Sequence, residues 1–221
     1  YATSFGQWVE KAPEHEDEFL PWVTGYDALS MREQSGVDYL RSKGLECELV
    51  VDPTLLLERR YYDSICRERL IKEPYILLFT WNGAKDATEI AKKIEKKTHA
   101  KPIYIVAPPR AMFSGVERKL DVGPCEFLSL IKYADYVVTN SFHGTVFSII
   151  YEKNFVSVVS GHVDKRRESL MEHLGLTDHL MTNENFDMNA IEKTNYAGTT
   201  EKLAKFKENS MRYLIRAIKA E

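Results

Sequence analysis

The chain has 221 residues and a mass of 25.5 kDa, enough for one large domain or two small ones. Its 30 basic residues against 33 acidic ones leave a net charge of −3, which excludes a general nucleic-acid binder and a disordered acidic tail. Hydrophobic residues at 44% supply a sizeable core, but no apolar run approaches the roughly 18 residues of a membrane span.

Three cysteines, Cys47, Cys66 and Cys125, form no close pair. That excludes a disulfide framework and a Cys-rich zinc site and fits a reducing cytoplasm. Position 1 is Tyr rather than Met, and the expectation is a processed or truncated piece of a longer protein.

In chain order, short β-branched runs alternate with helical patterns. Strands are predicted over 28–31, 47–51, 75–80, 102–107, 135–139 and 155–159. These runs are apolar on both parities, as in strands covered on both faces. Between them, Val37, Tyr39 and Leu40 lead to Gly44, a helix stop. Ala87, Ile90, Ala91 and Ile94 repeat at three and four, as do Phe127, Leu128, Ile131 and Ala134. Leu203, Phe206, Leu214, Ile215 and Ile218 mark a long amphipathic helix near the end. Such alternation predicts βαβ units, a parallel sheet and right-handed crossovers. The charged stretch 58–74 reads as a connector between two α/β lobes.

Ligands of parallel α/β sheets gather at the carboxyl ends of strands. The sharpest such junction follows the strand at 135–139. There Asn140, Ser141, Phe142, His143, Gly144 and Thr145 open a helix. Helix amides, the Ser141, His143 and Thr145 side chains and the small Gly144 together suggest a seat for phosphate or carboxylate. The plain alternative is that Asn140 or Ser141 caps the helix and His143 is a satisfied buried polar residue.

Arg32 stands at a second strand end and suits a forked contact with an anion. Its alternative is a surface pair with Glu33 or a structural salt bridge. Asp52, before Pro53, reads as a turn or cap residue. Lys165, Arg166 and Arg167, which follow His162 at another strand end, are either further cations for the same crevice or a solvated helix start. Lys92, Lys93, Lys96, Lys97 and Lys101 read as a solvated helix face. The sequence holds no Walker loop, G-x-G-x-x-G, H-E-x-x-H, G-x-S-x-G or C-x-x-C motif. Its six histidines show no metal-ligand spacing, and no metal is expected.

The block 135–148, DYVVTNSFHGTVFS, resembles the signature of the polysaccharide pyruvyl transferase family. Supporting blocks stand in the family's order: 27–36 (DALSMREQSG), 51–55 (VDPTL), Gly123-Pro124 before Glu126-Phe127-Leu128, and 166–176 (RRESLMEHLGL). The resemblance covers nearly the whole chain. It implies an α/β, Rossmann-like three-layer parallel-sheet fold of the glycosyltransferase-B type with an incomplete first lobe. Residues 1–57 would end the amino-terminal lobe, 58–74 would connect, and 75–221 would form the carboxyl-terminal lobe, with a last helix that crosses back.

The resemblance further implies a cytoplasmic, bacterial-type enzyme of exopolysaccharide or capsule synthesis. Such an enzyme transfers a pyruvyl group from phosphoenolpyruvate to a sugar and needs no cofactor. Arg32 would grip the donor's charged groups, and His143 would contact phosphate or donate a proton, with Asn140, Ser141, Phe142, Gly144, Thr145 and Arg166 around them. The family often carries Arg two positions before this His and Leu one position before it; here these are Ser141 and Phe142, and Arg166 or Lys165 would have to replace the lost cation. Expected partners are phosphoenolpyruvate, a saccharide acceptor, the missing lobe and a second copy of the chain, with no nucleic acid and no membrane span. The alternatives are a nucleotide-sugar glycosyltransferase and a non-catalytic sugar- or phosphate-binding domain.

Overall fold

The computed structural model describes residues 1–81, 84–105, 116–119, 121–161 and 164–219. Its strands are β1 (Ser30–Met31), β2 (Glu48–Leu49), β3 (Tyr75–Phe79), β4 (Lys101–Ile105), β5 (Glu117–Lys119), β6 (Tyr136–Thr139), β7 (Asn154–Val158) and β8 (Leu180–Met181). Its helices are α1 (Glu16–Val23), α2 (Gln34–Ser42), α3 (Pro53–Leu56), α4 (Arg59–Ile65), α5 (Ala84–Thr98), α6 (Pro124–Lys132), α7 (Phe142–Ile150), α8 (Lys165–Leu174), α9 (Met188–Glu192) and α10 (Tyr196–Lys219), preceded by a 3-10 helix over Gly6–His15. Each predicted strand has a counterpart shifted or shortened at its ends. Residues 106–107 of the fourth prediction, and His162, lie outside the described residues.

The chain forms two compact units, each assembled from separated stretches. The first comprises Tyr1–Leu57, Asp164–Gly175 and Ala197–Glu221; the second comprises Glu58–Val163 and Leu176–Tyr196. The stretch 75–221 contributes to both units, with α8 and α10 in the first. Long-range bonds are the reason. Ser169 on α8 accepts the Gln34 N–H at 3.1 Å, and Ser210 on α10 accepts the Val51 N–H at 3.0 Å.

In the first unit, β1 and β2 pair in parallel, Ser30 with Glu48 and Met31 with Leu49. Thr3 bridges to Met31, also in parallel. Helix α2 lays Val37 and Leu40 against Met31 and Cys47 to make a small core. It stops where Gly44 takes φ +77°, a conformation open to glycine and costly for a residue with a Cβ. Tyr213 of α10 packs with Ala2 and Val50. Only part of the predicted stripe on α10 is covered, because Ile215 and Ile218 stay exposed while Ser210 and Tyr213 are buried.

The second unit is built on a six-stranded sheet in the order β5-β4-β3-β6-β7-β8, parallel throughout. All five residues of β3 are buried, so both faces are covered. On one face Ile76, Leu78, Val138 and Val156 meet Ile90 and Ile94 of α5 and Ile191 of α9. On the other, the Tyr75 hydroxyl donates to the Leu130 carbonyl at 2.7 Å, and Phe79 meets Phe127 of α6. The result is the expected three-layer α/β arrangement. The edge strand β5 reads Glu-Arg-Lys. Its charge suits an edge that must not pair further, and the same charge hides it from a search for apolar runs.

Candidate functional site

Strand order reverses between β3 and β6: from β3 the chain passes to β4 on one side, while β6 lies on the other. The carboxyl ends flanking such a switch point are where open α/β sheets take ligands. Phe79 is in register with Thr139. Thr80-Trp81 and Asn140-Ser141 therefore leave the sheet as neighbours, and the Trp81 N–H donates to Asn140 Oδ1 at 3.0 Å.

Behind this edge, short polar residues anchor the start of α7. The Thr139 hydroxyl donates to the Phe79 carbonyl at 2.6 Å and accepts the Ser141 N–H at 3.1 Å. Ser141 caps the helix by accepting the Gly144 N–H at 3.4 Å. The Thr145 hydroxyl donates to the Ser141 carbonyl and lies 3.1 Å from Ser157 Oγ. Ser141, Phe142, Gly144 and Thr145 are all buried, Asn140 is half-buried and His143 is exposed.

The packing of this turn is tight. A Cβ at Gly144 would lie 2.2 Å from Thr139 Oγ1 and 3.1 Å from Phe79 Cδ1, so this close helix–strand contact requires a glycine. The Gly144 and Ser141 amides and the Thr145 hydroxyl, expected to face an anion, are bonded within the protein. His143 is not the buried polar residue of the plain alternative. Its ring lies edge-on to Phe142, with centroids 5.4 Å apart.

The first unit holds the predicted cations. Arg32 Nη1 is paired with Asp52 Oδ2. Asp52 is buried, and its Oδ1 accepts the Thr54 N–H at 3.0 Å and the Thr54 hydroxyl at 2.6 Å, which caps α3. Of the two alternatives for Arg32, the structural salt bridge is present and the surface pair is not, because Glu33 is fully buried. Its Oε1 accepts the Phe5 N–H at 2.6 Å and the Gly6 N–H at 3.1 Å, while Oε2 has no hydrogen-bond partner among the described residues. Burial pushes the Glu33 carboxyl above its usual range, against hydrogen bonds from Ser4, Gly6 and Phe5 and the charge of Arg166.

Arg166 forks onto Asp164. Its Nε donates to Oδ1 at 2.9 Å and its Nη2 to Oδ2, while Oδ1 also accepts the Arg166 N–H at 2.9 Å to cap α8. Burial alone would raise the Asp164 carboxyl, but the hydrogen bonds and charge of Arg166 hold it below its usual range. Hydrogen bonding to Asp164 in turn raises Arg166 further above its already high value, against burial. Lys165 pairs with Glu168 at 2.8 Å, and Arg167 is buried, so this run is not simply a solvated helix start.

Arg32 and Arg166 thus belong to one unit, and Asn140, Ser141, Phe142, His143, Gly144 and Thr145 to the other. Sequence reasoning missed Asp164, Trp81 and the burial of Glu33. Asp two positions before Arg166 is a cap signal that was available. Trp81 directly follows an apolar strand and was equally legible. Burial of Glu33 has no local signal. Among the described residues, no group of three or more His, Cys, Asp or Glu is placed to hold a metal ion, and no helix is long and apolar enough to cross a membrane.

A six-stranded parallel sheet covered by helices on both faces defines the Rossmann-like α/β class. The family model described as polysaccharide pyruvyl transferase matches residues 1–162, and the chain belongs to that family. No curated protein matches it. Among solved structures, one assigned as the UDP-N-acetylglucosamine 2-epimerase of Listeria monocytogenes is similar, with a TM-score of 0.53 and 12% identity over 91% of this chain and 58% of that one. The UDP-GlcNAc 2-epimerase of Methanocaldococcus jannaschii gives a TM-score of 0.47 at 16% identity, over 85% of this chain and 62% of that one. The first likeness shows a glycosyltransferase-B-like α/β fold and nothing of activity. The chain spans about 58% of the length of that structure.

Proposed function

We propose that the protein transfers a pyruvyl group from phosphoenolpyruvate to two hydroxyls of a sugar in a surface polysaccharide or its precursor. The observation that carries this proposal is His143, exposed at the switch point within the stretch that the family model matches. Protonation of the donor's methylene carbon creates an oxocarbenium-like centre. One sugar hydroxyl adds to that centre and loses its proton. A second hydroxyl then displaces inorganic phosphate, leaving a cyclic ketal.

Such a reaction needs an acid and groups that hold two anions. In the second unit, His143 carries an imidazole able to give a proton or to bond phosphate. In the first, Arg32 and Arg166 carry guanidinium groups, the chemistry that carboxylate and phosphate take; Arg166 Nε and Nη2 are engaged by Asp164, and Arg32 Nη1 by Asp52. The proposal also takes in a capsule or exopolysaccharide acceptor, a cytoplasmic site of action, and association with a further lobe or a second copy.

Titration calorimetry of the full natural chain with phosphoenolpyruvate tests this, followed by phosphate release in the presence of acceptor. Binding with saccharide-dependent phosphate release is expected. No binding at millimolar donor, with binding of a nucleotide-sugar instead, would replace pyruvyl transfer with glycosyl transfer.

A further inference from the structure

We infer that Trp81 is the stacking platform for a pyranose ring of the saccharide acceptor, an inference that rests on the pyruvyl-transfer proposal. Trp81 stands two residues past the end of the central strand β3 and is 58% exposed. Exposure alone does not single it out, because Trp22 is 78% exposed; its place beside the switch point of the sheet does.

Its position is braced from below and beside. The indole lies edge-to-face on Phe79 at 5.8 Å, Phe79 meets Phe127 at 5.0 Å, and Phe127 meets Phe147 at 5.7 Å. The Trp81 backbone N–H is held by Asn140 Oδ1 at 3.0 Å, which fixes the chain that carries the ring. This anchor and the Phe79 contact limit the freedom the side chain has to lose on binding.

Chemistry selects the occupant. A pyranose has a face of C–H bonds and a rim of hydroxyls. The face suits the electron-rich surface of an indole, and the rim suits amide and imidazole groups such as those of Asn140 and His143 at the same edge. Phosphoenolpyruvate is small and anionic, and the negative face of an aromatic ring gains nothing from it. A nucleobase also stacks on indole, and the experiment must separate it from a sugar.

The full natural chain and its Trp81→Ala and Trp81→Phe variants are titrated with methyl glucoside, galactoside, mannoside and N-acetylglucosaminide, and with uridine diphosphate. Calorimetry and tryptophan fluorescence report binding. Steady-state kinetics give separate KM values for donor and acceptor. At least one pyranoside should bind the natural protein, about tenfold more weakly in Trp81→Ala and near-normally in Trp81→Phe, with the KM for phosphoenolpyruvate unchanged.

Absence of pyranoside binding, equal binding by Trp81→Ala, or uridine diphosphate as the ligand that Trp81→Ala loses would each overturn the inference. Pyranoside binding through Trp81 without phosphate release from phosphoenolpyruvate would sink the pyruvyl-transfer proposal alone. Phosphate release with acceptor binding unaltered in Trp81→Ala would sink the platform alone.

Discussion

Gly144 meets Thr139 so closely that a Cβ on the glycine would stand 2.2 Å from the threonine Oγ1. Thr139 has little room to give, because its hydroxyl is tied to the Phe79 carbonyl at 2.6 Å and to the Ser141 amide at 3.1 Å. Gly144→Ala must therefore shift the first turn of α7 away from β3 and β6. A loss of about 1–3 kcal/mol is expected, read as a lower urea midpoint. An unchanged midpoint would show that the helix is seated more loosely than this contact implies.

His143 is different in kind, being exposed on that same turn. His143→Ala should leave stability within about 0.5 kcal/mol and lower pyruvyl transfer by about 10²-fold or more. Circular dichroism melting and phosphate release read the two effects separately. A variant with full activity removes the imidazole from the mechanism.

Asp164 links the cap of α8 to the Arg166 fork. Its folded carboxyl ionises below the usual range. The stability it contributes is thus complete above the unfolded value of about 3.9 and is lost as pH falls through the lower folded value. Asp164→Asn keeps a competent cap but removes the charge, so it should flatten that acid limb. Arg166→Ala leaves the Asp164 carboxylate without its fork and should flatten the same limb. Urea unfolding between pH 3 and 6 is the check, and an acid limb as steep as that of the natural protein refutes the role of Asp164.

Glu33 runs the opposite way. Burial raises its folded carboxyl, so its contribution is complete below the unfolded value of about 4.3 and declines as pH rises through the higher folded value. Glu33→Gln keeps an oxygen for the Phe5 and Gly6 amides and cannot ionise, so the decline should vanish. Glu33→Ala leaves those two amides without their acceptor, at about 1–3 kcal/mol for each one buried. A pH profile of Glu33→Gln identical to that of the natural protein would contradict this assignment.

The apolar runs at 75–80, 135–139 and 155–159 announced the central strands because those strands are covered on both faces, and burial writes itself into consecutive residues. Strand β5 was missed because an edge strand of Glu-Arg-Lys carries no such mark. Among the site residues, the junction from Asn140 to Thr145 was visible as polar residues interrupting an apolar pattern. Which of their groups turn inward was not visible. The Thr145 hydroxyl is bonded to Ser141 and Ser157, and one of those partners comes from the next strand.

Strand and helix periodicity, the α/β alternation and the polar break after β6 were legible along the chain because each depends on residues a few positions apart. The partner of Arg32 lies at Asp52, the acceptor of the Gln34 amide at Ser169 and the acceptor of the Val51 amide at Ser210. Those pairings, and with them the buried state of Glu33 and the membership of α8 and α10 in the first unit, arise when distant segments close on one another. A linear pattern records how a side chain suits its own element; it holds no trace of which remote group will complete its hydrogen bonds.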